Sequence, residues 1–98
     1  MAEVSLAGVR VLVVDDEVGV ARAVARTLRR QGAQVNEAFA VDEARLRLGE
    51  GSYPLVLADI DLRGESGLDL LKPARIADPD TAFVVMTGKP ELRSAGTR

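Results

Sequence analysis

The stretch LVLADIDLRG, residues 55–64, runs four apolar side chains (Leu55, Val56, Leu57 and Ala58) into Asp59 and then Asp61. An unbroken apolar run of this length fits a strand buried on both faces, as in a parallel sheet. An ionised carboxylate is costly to bury unless something pairs with it. Asp59 therefore stands at the mouth of a buried strand and calls for a partner there.

Working towards the N-terminus, Val11–Val14 repeats the pattern and ends at Asp15 and Asp16. Between the two runs, Ala21, Val24, Ala25 and Leu28 recur at helical spacing, with Arg22, Arg26, Arg29 and Arg30 on the opposite side. Gly32 follows the last two arginines, as expected where a helix ends in cations and then in a residue free to turn. Residues 33–38 alternate weakly and suit a shorter strand near the sheet edge. Val41, Ala44, Arg45 and Leu48 mark a second helix, with Asp42 and Glu43 in its first turn.

Towards the C-terminus, the loop IDLRGESG leads to a third helix expected from about Ser66 to Ala77, with Gly64 and Gly67 as turn residues. Pro73 falls inside that helix. There it would lose a hydrogen bond and collide with the carbonyl of Asp69, at roughly 3 kcal/mol, so a kink or a break is expected. Ala82–Met86 reads as a fourth buried strand stopping at Thr87, and residues 88–96 as the start of a fourth helix. Strands alternating with helices place the chain in the α/β class, with a parallel sheet and right-handed crossovers.

In open α/β sheets, ligands sit outside the carboxyl ends of the strands. Asp15, Asp16, Asp59 and Thr87 all stand at such ends, and they share one edge if strands one, three and four are neighbours. Carboxylates gathered in one crevice repel one another, so their pKa values rise or a cation neutralises them. Hard oxygen donors without His or Cys select Mg²⁺ or Ca²⁺ over zinc. A few carboxylates with room left for a phosphate suit Mg²⁺ better. A carboxylate beside such a cation can attack phosphorus and become an aspartyl phosphate. The Thr87 hydroxyl and the small Gly88 would complete a phosphate pocket.

Three segments together carry a family resemblance: VLVVDDE (11–17), LVLADIDLRGESGLDLL (55–71) and FVVMTG (83–88). In order and spacing they resemble the response-regulator receiver domain of two-component signalling, over about residues 9–88. The resemblance implies a flavodoxin-like parallel sheet with helices on both faces. It implies Asp59 as phosphoacceptor and Asp15 and Asp16 as the acidic pair for Mg²⁺. It also implies that Asp61 gives the metal its backbone carbonyl and that Thr87 is the switch hydroxyl. The phosphoryl donor would be a histidine kinase or a phosphotransfer protein, and the domain would not be an enzyme beyond its own phosphorylation and dephosphorylation. The family continues through a fifth strand that ends in a lysine, and then a fifth helix. On this reading residues 1–98 form an incomplete receiver, truncated after the fourth strand, with four strands in the order 2-1-3-4. Lys89-Pro90 directly follows the threonine motif and is not assigned the lysine's role. The edge left at strand four, Ala82–Met86, is expected to pair two copies of the chain.

Composition narrows the alternatives. The 98 residues suffice for one small domain. The formal net charge is −2, so no broad attraction to nucleic acid is expected. The chain has no Cys and no His, which removes disulfides, thiolate and imidazole metal sites, and His-based triads. No membrane-spanning run or signal segment is visible, and a cytoplasmic domain is expected. Two other readings stay open. One is a receiver that no longer signals and serves as an interaction module or fragment. The other is an enzyme, because Asp59-Ile60-Asp61 resembles the nucleophile motif of haloacid-dehalogenase-type phosphohydrolases, although VVDDE is then unexplained.

Overall fold

The computed structural model describes residues 5–86. Arg10–Val14 (β1), Val18–Arg30 (α1), Gln34–Ala38 (β2), Val41–Glu50 (α2) and Leu55–Asp59 (β3) follow one another as expected. The loop after β3 holds a feature not expected from the sequence. Asp61–Leu62 (β4) and Glu65–Ser66 (β5) pair as a small antiparallel hairpin. A single turn of 3-10 helix, Gly67–Leu70, then leads into Leu71–Ala77 (α3), and Ala82–Met86 (β6) closes the described chain.

β1, β2, β3 and β6 form one parallel sheet in the order β2-β1-β3-β6, which is the expected 2-1-3-4 order of the long strands. Its two faces are covered separately. Val11 and Val13 look towards α1, joining Ala21, Ala25 and Val35, with Leu55 and Leu57 alongside. Leu12, Val14, Val56 and Ala58 look the other way, joining Val41, Ala44 and Leu48 of α2, and Leu70 and Ala74. Side chains alternate across a strand, so the unbroken apolar runs of β1 and β3 serve both layers. The arginines of α1 all lie on its exposed side.

Two expectations are corrected. Ala82–Met86 is not buried on both faces. Its place at one end of the sheet among the described residues is the one the expected strand order implies, and Val84 is 44 % exposed while Phe83 packs towards the α2 layer. The third helix does not run unbroken from Ser66: the α-helix proper starts at Leu71. Pro73 is thus the third residue of α3, where a backbone N–H would have no partner within the helix anyway. The break expected at Pro73 is absent: α3 runs through it as Leu71–Ala77, and the change from 3-10 to α-helix falls upstream, between Leu70 and Leu71. No helix among the described residues is long and apolar enough to cross a membrane.

Candidate functional site

Register brings the acids together. Val14 of β1 pairs with Ala58 of β3, so Asp15 and Asp59 emerge side by side at the carboxyl end of the sheet. Asp15, Asp16 and Asp59 each offer a carboxylate oxygen, and these oxygens lie within 4.8 Å of one another. Asp15 is only 4 % exposed, while Asp16 and Asp59 are half-buried.

The cluster is electrostatically unsettled. Burial is the main cause that pushes the Asp15 carboxyl above its usual value of 3.8; Asp59, Asp16 and Glu17 add like-charge repulsion, and a hydrogen bond from the Glu17 backbone opposes the rise. That bond runs from Glu17 N–H to Asp15 Oδ1 over 2.9 Å. It fixes the buried carboxylate as the chain enters α1.

Asp59 is held from the loop that follows it. The backbone N–H of Asp61 donates to Asp59 Oδ1 at 3.2 Å. The Ile60 N–H donates to the Met86 carbonyl and the Gly67 N–H to the Ile60 carbonyl, tying this loop to β6 and to the 3-10 turn. Gly67 is buried against the Asp59 carbonyl with no space for a side chain. It was expected as a turn residue, but close approach is the reason for it. Gly64 is a turn residue, with φ +85° beside Arg63 at φ +52°. Positive φ at both central residues of a two-residue hairpin loop marks a type I′ turn.

The sequence-predicted residues divide accordingly. Asp15, Asp16 and Asp59 converge. Asp61 has an exposed side chain and contributes its backbone. Thr87, Gly88 and Lys89 lie outside the described residues. Arg63 was missed by sequence reading, and its Nε lies 3.5 Å from Asp16 Oδ2. Nothing in the local sequence signals this contact, which depends on the hairpin folding back.

The donor set is three carboxylates, all hard oxygen donors, with one buried and raised in pKa partly by its neighbours. That fits a divalent cation such as Mg²⁺, for which Asp15, Asp16 and Asp59 would be the holding side chains.

Comparison with known proteins identifies the family. The response regulator receiver domain family matches residues 11–97. The chain is 40% identical over 80 residues to the transcriptional regulatory protein DltR of Streptococcus agalactiae, an alignment covering 82% of this chain and 36% of that protein. It is 32% identical over 82 residues to the transcriptional regulatory protein ResD of Bacillus subtilis, covering 84% of this chain and 34% of ResD. The chain thus spans about a third of the length of these curated relatives. Among solved structures, a response regulator from Burkholderia pseudomallei, crystallised with a phosphorylated aspartic acid, a calcium ion and citrate, superposes with a TM-score of 0.77. It shares 35% identity, covering 82% of this chain and 47% of that one. TrrA from Thermotoga maritima, in complex with Mg²⁺-BeF, gives 0.74 at 31% identity, covering 88% and 75%. The chain belongs to the response regulator receiver domain family, and its sheet is the flavodoxin-like receiver fold.

Proposed function

We propose that this receiver accepts a phosphoryl group on Asp59 from a phosphohistidine of a histidine kinase or phosphotransfer protein, with Mg²⁺ held by Asp15, Asp16 and Asp59. The observation that supports this most is the convergence of the three carboxylates at the carboxyl end of β1 and β3. The phosphorylated aspartate of the Burkholderia relative and the Mg²⁺-BeF complex of TrrA point the same way.

The chemistry follows from the chain's own groups. An Asp59 carboxylate oxygen attacks phosphorus, an O–P bond forms, and the P–N bond of the donor breaks with its electron pair left on the imidazole nitrogen. The Asp61 N–H on Asp59 Oδ1 orients that carboxylate and leaves its other oxygen free to act. Asp15 and Asp16 serve as ligands: Asp15 is buried, and Asp16 stands beside it with a carboxylate oxygen within 4.8 Å of those of the other two acids. A divalent cation bound here would neutralise the charge gathered on carboxylates and phosphoryl oxygens. Water then attacks phosphorus, the Asp59 O–P bond breaks, and inorganic phosphate leaves with the Asp59 carboxylate restored, so the domain works as a switch and not as a turnover enzyme. Asp61 giving its backbone carbonyl to the metal belongs to the same reading.

The test is modification by an acyl phosphate in the presence of Mg²⁺, read by intact mass. Wild type should gain one phosphoryl group and Asp59→Asn none. Equal labelling of both would overturn the assignment. Turnover of a simple phosphate ester would favour the phosphohydrolase reading instead.

A further inference from the structure

Arg63 stands apart from the other cations of the described chain. It occupies the first central position of the β4–β5 turn at φ +52°, a left-handed conformation that glycine or asparagine adopts more readily. A bulky residue kept in such a conformation is a reason to ask what its side chain does. Its guanidinium reaches back across the loop to Asp16, with Nε 3.5 Å from Oδ2. Among the described residues it is the only cation ion-paired with any of the three clustered acids.

We infer that Arg63 is a resident counter-cation of the acidic site, which holds Asp16 until a divalent cation displaces it and so sets the Mg²⁺ concentration at which Asp59 becomes reactive. This rests on the metal reading above and adds a competitor to it. Three carboxylates within 4.8 Å need positive charge, and the guanidinium supplies one unit of it without the metal. A divalent cation taking the Asp16 oxygen that Arg63 holds has to break that ion pair, and one taking the other oxygen still approaches a site already partly neutralised. Both effects weaken metal binding. The arm is exposed and sits on a two-residue turn, so it can swing out without disturbing β3 or the Asp61 contact to Asp59.

The contest is between charges, which gives the test its direction. Arg63→Asn removes the charge and keeps a residue that tolerates the left-handed turn. Arg63→Lys keeps the charge. Mg²⁺ is titrated into the unphosphorylated full chain and followed by calorimetry and by the amide signals of Asp15, Asp16 and Asp59. Arg63→Asn should bind Mg²⁺ about threefold more tightly at low salt, with the gain shrinking as ionic strength rises. Arg63→Lys should stay within about twofold of wild type. Arg63→Gly, which relieves the turn entirely, should match Arg63→Asn and keeps the test valid if the asparagine variant folds poorly. Equal or weaker binding in both uncharged variants, with wild-type amide spectra away from the turn, overturns the role of Arg63 alone. If wild type shows no Mg²⁺-dependent change at the three acids, the metal reading falls and this inference with it.

Discussion

Gly67 packs against the carbonyl of Asp59 so closely that a methyl group in its place would overlap the oxygen. The two residues belong to different elements, the 3-10 turn and the end of β3, and the Gly67 N–H to the Ile60 carbonyl fastens them together. Gly67→Ala should therefore push the loop away from Asp59. The expected cost is about 2–3 kcal/mol, as for overpacking a filled site. Gly64→Ala meets no neighbour and carries only the cost of a left-handed backbone, about 1–2 kcal/mol. Urea unfolding followed by far-ultraviolet circular dichroism should rank Gly67→Ala as the worse of the two. The reverse order would mean that turn shape, not close approach, governs this loop.

The fold was legible where burial dictates composition. β1 and β3 announce themselves because both their faces are covered, and their terminal acids mark the open end of the sheet. The α1 helix reads from its apolar spacing and its Gly32 stop, which has φ +94°. The hairpin was not legible, since two-residue strands carry no alternation to read. Gly67 and Gly64 look alike in a sequence, and only the approach of the Asp59 carbonyl tells them apart. Arg63 was invisible for a similar reason: its partner Asp16 lies 47 positions away, and the pairing needs the loop to fold back over the site. β6 was legible as an edge from the strand order alone, since AFVVM is as apolar as the buried β1 and its composition gives no sign of partial exposure.

Asp15 gives the fold a pH dependence of definite sign. Its folded pKa is raised above the usual 3.8, so the native state binds its proton more tightly than the unfolded chain does. Stability should then fall as pH rises from about 3.8 through the raised value, because ionising Asp15 is harder in the fold. Asp15→Asn removes that penalty, so the metal-free variant should gain in stability on wild type as pH rises from 4 to 7. Urea midpoints for both proteins at pH 4 and pH 7 check this. The gap between them should be larger at pH 7, and a gap that narrows there would contradict the cause given for the shift.

Metal binding should restore what the repulsion takes away. A ligand that binds only the native state at tenfold its dissociation constant adds about 1.4 kcal/mol. Thermal midpoints should rise with Mg²⁺ in wild type and stay flat in Asp16→Ala. Because Asp15 must be ionised to serve as a ligand, binding should also weaken as pH falls towards its raised pKa, with proton release detectable by calorimetry in buffers of different ionisation enthalpy. A midpoint that rises equally in the variant would assign the effect to general surface binding.

Glu37 is the last point at which charge can be tested. On α1, Arg22, Arg26 and Arg30 follow at four-residue spacing with Arg29 beside them, and the helix contains no acid. Like charges at that spacing disfavour a helix by a few tenths of a kcal/mol per pair. The counter-charge comes from β2: Glu37 Oε1 lies 3.6 Å from Arg22 Nε, and Oε2 lies 3.2 Å from an Arg29 terminal nitrogen. Arg29 also donates to the Val35 carbonyl at 2.8 Å, which locks its side chain across the sheet edge. Glu37 is only 15% exposed in its side chain while both arginines are at least half exposed, so each pair is screened on one side. Glu37→Gln should then cost about 1 kcal/mol at low ionic strength and less than half of that in molar salt. Chemical unfolding with urea, which adds no ions of its own, should be run at both salt levels. A loss that does not shrink with salt would place the role of Glu37 in packing against α1 and not in holding its arginines.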